Sequence, residues 1–302
     1  MGKPKHIICT IDNNYVQHCM VMLQSLFDTN QQSIFNVHII IDGLSAKNIN
    51  YFTQFFKATK HTFETIPADK NLLEDAPVFG HVSLATYFRI LIPRLLHEGI
   101  DKALFLDSDI IINGNIELFW QVDISNYSHI AIENKGISSS LKKNLGIPQE
   151  ELYFNAGVLF INLDWWRRND VFLKAIDFMK SNASKITFWD QDVLNAVLYG
   201  KWLEFSAAYN AQEYLFREDV RNIPKELKLL EAINNPVIIH FSGSDDCKPW
   251  HYSNNHKFKN EYEKYLAKTV FKDVKPIGFP EEKKLTLRDK FYLFRQELFQ
   301  KK

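Results

Sequence analysis

An α/β fold built on a mostly parallel central sheet is predicted for this 302-residue chain, and three observations predict it. Apolar, strand-like runs alternate with segments whose apolar residues recur at helical spacing. The strongest runs, such as Ala103–Leu106, lack the in–out alternation of a strand with one wet face, as strands buried on both faces do. Polar clusters stand where such runs end, which is where an open parallel sheet places its ligand crevice.

Taken in order, His6–Ile11 reads as a first strand ending in Asp12-Asn13-Asn14-Tyr15. Residues 16–28 carry Met20, Leu23, Leu26 and Phe27 at helical spacing, and Phe35–Ile41 is a second strand closed by Asp42-Gly43. Strand, helix and strand over so short a span make a parallel crossover. A helix follows over 45–60 with Ser45 as its cap, and 61–67 is a third strand. A loop over 68–82 leads to a helix over 84–96 that carries Arg89. Next comes Ala103–Leu106 with Asp107-Ser108-Asp109, the run Ile110–Ile112 and a turn at Asn113-Gly114-Asn115. Residues 122–132 return to the sheet, 142–146 form a short helical piece, and Tyr153–Leu163 is a long apolar strand. Helices are predicted over 164–182 and from Asp190 to Leu198, with a late strand at Val237–Phe241. No internal repeat or low-complexity linker divides residues 1–265. Residues 266–302 form a second segment, helical, basic and aromatic, in which Lys283, Lys284, Arg288, Lys290 and Arg295 accompany Leu287, Phe291, Phe294 and Leu298. Such a helix either lies on an anionic membrane surface or docks on the domain.

Composition narrows the function. A formal net charge of +0 excludes a strongly basic nucleic-acid binder. Cys9, Cys19 and Cys247 form no CxxC pattern and no disulfide framework. No apolar run approaches the ~20 residues of a membrane span, and the N-terminus lacks an apolar leader. The expected location is the cytoplasm, with the basic tail offering attachment to the inner face of the plasma membrane. Neither GxGxxG nor a P-loop is present, so a diphosphate needs a metal and a few basic side chains to hold it.

Asp107 and Asp109 supply the metal's first candidates. On an extended chain, side chains at i and i+2 share a side, and two carboxylates at the end of a buried strand are costly without a cation between them. A hard divalent ion meets that need, although a polar strand end with a helix cap also fits the pair. Four strand ends carry polar clusters: Asp12–Tyr15, Asp107–Asp109, Asn155–Gly157 and His240–Gly243.

Phe105-Leu-Asp-Ser-Asp109, the run Tyr153–Leu163, Asp190-Gln-Asp-Val-Leu-Asn195 and His240-Phe-Ser-Gly243 followed by Lys248-Pro-Trp250 stand in this order. Together they resemble the family 8 glycosyltransferases, especially bacterial enzymes that add galactose or glucose to lipopolysaccharide and lipooligosaccharide. The resemblance covers residues 6–255 and implies a single Rossmann-like GT-A domain. It implies a UDP-hexose donor, a glycan or glycolipid acceptor, and Mn²⁺, with Mg²⁺ as a substitute, held by Asp107, Asp109 and His240. A mixed oxygen and nitrogen ligand set suits Mn²⁺.

The same resemblance assigns Asp12, Asn14 and Tyr15 to the uracil and ribose. It assigns Arg89, Ser108, Asn155, Ala156, Gly157 and Gly243 to the donor, and Lys248 to the diphosphate. Asp190 and Gln191 match the pair beside the reacting carbon. Four residues separate Gly243 from Lys248 where the family usually has two, which puts the reach of Lys248 in question. The family retains sugar configuration, and a carboxamide at Gln191 is a poor nucleophile, which favours front-face displacement. Residues 75–83 are expected to close over the donor as a lid. Two alternatives stay open: a nucleotide-sugar-binding protein without transfer, and a glycogenin-like self-glucosylating enzyme. Cys247, His251 and His256 are too irregularly spaced for zinc.

Overall fold

A computed structural model of the protein describes residues 4–74, 76–79, 83–217, 227–243 and 247–279. The basic stretch 283–302 therefore lies outside the described residues, as do parts of the 75–83 loop and of the link from Gly243 to Lys248.

The chain begins with β1 (Lys5–Ile11), α1 (Val16–Thr29), β2 (Phe35–Ile41), α2 (Ala46–Lys57) and β3 (Thr62–Pro67), all parallel in the sheet. Ser45 caps α2 by accepting from Asn48 N. The chain then runs through α3 (Ile92–Leu95) to β4 (Lys102–Leu106), which lies on the other side of β1. That reversal of strand order is the switch point. The predicted helix over 84–96 is mostly a 3-10 helix, Leu84–Leu91, and Pro93 stands in the short α3 that follows.

The next elements are β5 (Ile110–Ile112), α4 (Leu118–Gln121), β6 (His129–Glu133), α5 (Ser139–Asn144) and β7 (Phe154–Asn162). The predicted 164–182 helix is two helices, α6 (Leu163–Arg168) and α7 (Val171–Asn182). Asp170 separates them in the left-handed region at φ 50°. The chain continues through α8 (Trp189–Leu198), β8 (Leu203–Glu204), β9 (Ala211–Gln212), α9 (Leu227–Asn234), β10 (Ile238–His240) and α10 (Lys259–Leu266).

The main sheet has the order β3-β2-β1-β4-β7-β6-β8, and four of its six pairings are parallel. Its runs are apolar without alternation because both faces are covered. Ile7, Cys9, Leu104, Leu106, Val158 and Phe160 enter one core. Their neighbours Ile8, Ala103, Phe105, Leu159 and Ile161 enter the other. β7 runs antiparallel to β4, so Asn155–Gly157 sit at its start, not at a carboxyl end, and still reach the switch point. A second sheet, β5-β10-β9, was not expected. It pairs His240 with Ile110 on one side and Gln212 on the other.

Candidate active site

Between β4 and β5 the chain leaves one sheet for the other, and Asp107-Ser108-Asp109 forms the bend. The pair is therefore set on a turn, not on an extended strand. It nevertheless converges, because β10 brings His240 beside it: Phe241 N donates to Asp109 O at 3.0 Å. One ligand atom from each of Asp107, Asp109 and His240 lies within 4.8 Å of the others, and this is the one such cluster found among the described residues. Cys247, His251 and His256 form no comparable group there.

Two cations brace the carboxylates. Arg89, 5% exposed, donates from Nη1 to Ala156 O and from Nη2 to Asp107 Oδ1 at 2.9 Å. Its Nε lies 2.7 Å from Asp190 Oδ2, an ion pair without hydrogen-bond alignment. The guanidinium also covers the Phe105 ring, 4.5 Å from its centroid. Lys248 Nζ donates to Asp109 Oδ2 and to Phe241 O, the latter at 2.9 Å. The longer link from Gly243 thus does not keep Lys248 from the site. Three carboxylates, Asp107, Asp109 and Asp190, face these two cations, so one negative charge is left over.

Burial opposes the charge on all three acids. Burial raises the Asp107 carboxyl, and Asp109 adds to the rise against Arg89. Burial also opposes the charge on Asp109, yet Lys248 and His240 hold it far below the usual carboxylate range. Burial pushes Asp190 up to about 7 despite Arg89. A site of surplus negative charge with two carboxylates and an imidazole fits a divalent cation in donor type and in charge. Packing supports the fit. At Gly157 a Cβ would stand 2.3 Å from His240 Cε1 and 2.7 Å from Asp107 Oδ2, so the bare Cα makes room for two of the three ligands. The close approach at Gly157 is thus to the ligands themselves.

A cleft of about 330 Å³ opens over this cluster, near the lower end of the ~300–1,000 Å³ usual for small-molecule sites. Asp12, Asn14, Tyr15, Arg89, Asp107, Ser108, Asp109, Gly243 and Lys248 line it. Asp12 Oδ1 accepts from Asn14 N at 2.8 Å, which shapes the exit from β1. Asn13 instead ties the Gly43–Asn48 turn, and α1 has no side-chain cap. Tyr15, 37% exposed, stands edge-on to Trp250. Ser108 Oγ is buried with no hydrogen-bond partner among the described residues. Gly243 holds φ +110°, which side chains rarely adopt.

Asn155, Ala156, Gly157, Asp190, Gln191 and His240 stand outside the cleft lining and form its support. Gln191 Oε1 accepts from Ala156 N at 3.0 Å, and Nε2 donates to Tyr153 OH at 3.3 Å. The start of α8 is fixed by Asp192, whose Oδ2 accepts from Thr187 N and Phe188 N and whose Oδ1 accepts from Tyr153 OH. Asn195 clamps α8 to β7, with Oδ1 on Phe154 N and Nδ2 on Phe154 O. Trp189, at φ 48°, lines the cleft and stacks on Phe79, 5.5 Å between centroids. Sequence reasoning passed over Trp189, Thr86, Ser83 and Asn210. An aromatic at the first turn of a helix carries no signal in a single sequence.

The fold is of GT-A architecture. The chain belongs to glycosyl transferase family 8, whose model matches residues 6–254. It is 29% identical over 277 residues to general stress protein A of Bacillus subtilis (strain 168), covering 89% of this chain and 95% of that protein. It is 27% identical over 252 residues to the lipopolysaccharide 1,3-galactosyltransferase of Salmonella typhimurium (strain LT2), covering 80% and 71%. The fold superposes on the galactosyltransferase LgtC, crystallised with donor and acceptor sugar analogues, with a TM-score of 0.79 and 21% identity, covering 88% of this chain and 96% of that one. Among the described residues, no helix is long and apolar enough to cross a membrane.

Proposed function

We propose that this protein is a divalent-metal-dependent, retaining hexosyltransferase that moves galactose or glucose from a UDP-sugar to a glycan or glycolipid. Relatives named as lipopolysaccharide galactosyl- and glucosyltransferases make a cell-surface glycan the acceptor class of this reading. The observation that carries it is the convergence of Asp107, Asp109 and His240 under a cleft that also holds Arg89 and Lys248.

Asp107, Asp109 and His240 hold Mn²⁺ in this reading, with Mg²⁺ as a weaker substitute; the bound ion supplies Lewis-acid neutralisation of the departing diphosphate. Lys248, already beside Asp109, adds a positive charge on the same side. Asp12, Asn14 and Tyr15, which line the cleft, take uracil and ribose in this reading, with the Ser108 hydroxyl and Gly243 also facing the donor. Asn155–Gly157 and Asp190 stand on the donor-sugar side, where Asp190 binds hydroxyls and Arg89 ties it to Asp107. Gln191 keeps its amide fixed at both ends, and its oxygen has a second lone pair for the anomeric carbon. A fixed dipole there stabilises developing positive charge without becoming a nucleophile. Phe79, on the described part of the expected lid, stacks on Trp189 beside the cleft.

The test is UDP release from a panel of UDP-sugars with Mn²⁺ or EDTA, with and without lipopolysaccharide-core acceptors. We expect release from UDP-galactose or UDP-glucose, stimulated by acceptor and abolished by EDTA. Binding of the donor without release under any condition overturns the transferase reading and leaves a nucleotide-sugar-binding protein.

A further inference from the structure

A chain of hydrogen bonds behind the cluster decides which nitrogen of His240 faces the carboxylates. It starts at a backbone amide, whose role is unambiguous: Gly157 N donates to Asn155 Oδ1 at 3.0 Å, so that oxygen is an acceptor. The same oxygen lies 2.9 Å from Asn210 Nδ2, so Asn210 presents its amino group there. Its planar amide then turns Oδ1 toward His240 Nδ1, 2.8 Å away. An amide oxygen only accepts, so Nδ1 carries the proton and a neutral ring keeps its lone pair on Nε2. That Nε2 lies 3.3 Å from Asp109 Oδ1, inside the three-residue cluster.

We infer that Asn210 is a positioning residue for the cation, fixing the His240 tautomer so that Nε2 is presented as a ligand. The inference rests on the metal-dependent reading above. Burial makes the relay effective: Asn155, Asn210 and His240 are 7%, 0% and 3% exposed, so water does not compete for their hydrogen bonds. The fold sets the spacing. Gln212 of β9 pairs with His240, and Asn210, two residues earlier, closes the 3-10 turn Ala207–Asn210. The missing side chain at Gly157 lets the ring lie against β7. In the opposite tautomer, Nε2–H would donate to Asp109 and leave no nitrogen ligand facing the site. The acceptor on Nδ1 is what keeps a metal-binding histidine from becoming a plain His–Asp pair.

The test combines nitrogen NMR with metal titration. In ¹⁵N-histidine-labelled protein above pH 8 without metal, His240, assigned by its loss in His240→Gln, should show a protonated Nδ1 and a bare Nε2. Asn210→Leu, close in size, should lose that pattern and weaken Mn²⁺ binding in the presence of UDP by about 10–100-fold. Asn210→Asp keeps an oxygen for Nδ1–H but replaces the amino group that donates to Asn155 Oδ1 with a second acceptor, so it should keep the tautomer pattern while losing stability, a split that a merely structural role would not produce. Wild-type protein with a protonated Nε2, or an Asn210→Leu variant that folds and binds Mn²⁺ as wild type does, overturns the relay alone. Wild-type protein that takes up no Mn²⁺ with UDP present overturns the cation itself, whichever tautomer its spectrum shows.

Discussion

Arg89 sets the charge balance of the site. Its guanidinium spans Ala156 O, Asp107 and Asp190 and rests on Phe105, and burial, which disfavours its charge, is outweighed by Asp107, Asp190 and Asp109, so its pKa rises. Arg89→Met leaves the buried Asp190 and the half-buried Asp107 without their cation, and we expect a loss of about 3–5 kcal/mol, read as a lower urea midpoint. Arg89→Lys should recover little of it, because one ammonium cannot span the same three acceptors; full recovery would contradict the geometry. Gly157→Ala puts a methyl into His240 and Asp107. Overpacking of that kind costs about 1–3 kcal/mol, and here Mn²⁺ affinity should fall as well. A calorimetric titration matching wild type would show that the cluster tolerates the displacement. At this scale the sequence was informative where chemistry is unusual, as at Asp107 and Asp109, while Arg89 stood out only through the resemblance. It was mute at Asn210, since a lone asparagine after a tyrosine looks like any turn residue.

Elements position these residues through a few side-chain clamps. α8 carries Asp190 and Gln191, and beside the Gln191–Ala156 bond it is held to β7 by the Asn195 amide, which reads both the N–H and the C=O of Phe154 and also donates to Gln191 O. Asn195→Ala strands two buried backbone groups. We expect about 2–4 kcal/mol of destabilisation and a drop in kcat that exceeds any change in the KM for donor, because Gln191 moves. A variant with normal kcat would separate α8 placement from catalysis. Helices α1, α2 and α8 and the long strands were legible from the sequence, whereas α4, α9 and α10 were not read from it. The second sheet was not, because β5, β9 and β10 span three, two and three residues. Such pieces have no period to detect, and His240 meets Ile110 across 130 positions of chain. The Asp170 break escaped for a different reason: the apolar spacing continues through it while the backbone turns left-handed.

At the scale of the whole molecule, burial holds two core histidines, His18 and His129, in neutral form. Burial lowers both His18 and His129 to about 3. His18 stacks on Trp250 and bonds Tyr262 OH, while His129 sits among Phe154, Trp166 and Trp202. Unfolded chains bind these protons near pH 6.5 and the native state does not, so their contribution is complete above about pH 6.5 and shrinks as pH falls toward 3. Each proton adds a slope of about 1.4 kcal/mol per pH unit. Asp190, raised to about 7, acts in the opposite direction over the same range, so the test is the difference between proteins: below pH 6.5 the urea midpoint should fall less steeply, or rise more, in His129→Phe than in wild type, and an unchanged slope in that variant would contradict the assignment. On the same scale, the two-faced sheet and its switch point were readable because unbroken apolar strands and polar strand ends have one physical cause, a sheet covered on both sides and open at one end. The central claim is that a divalent ion joins three side chains from distant parts of the chain to a diphosphate. Anomalous diffraction from crystals soaked in UDP and Mn²⁺ tests it most directly. One manganese peak is expected, bonded to Asp107, Asp109 and His240 and to the phosphates; UDP bound in the cleft with no peak among those three residues would overturn the metal-dependent reading.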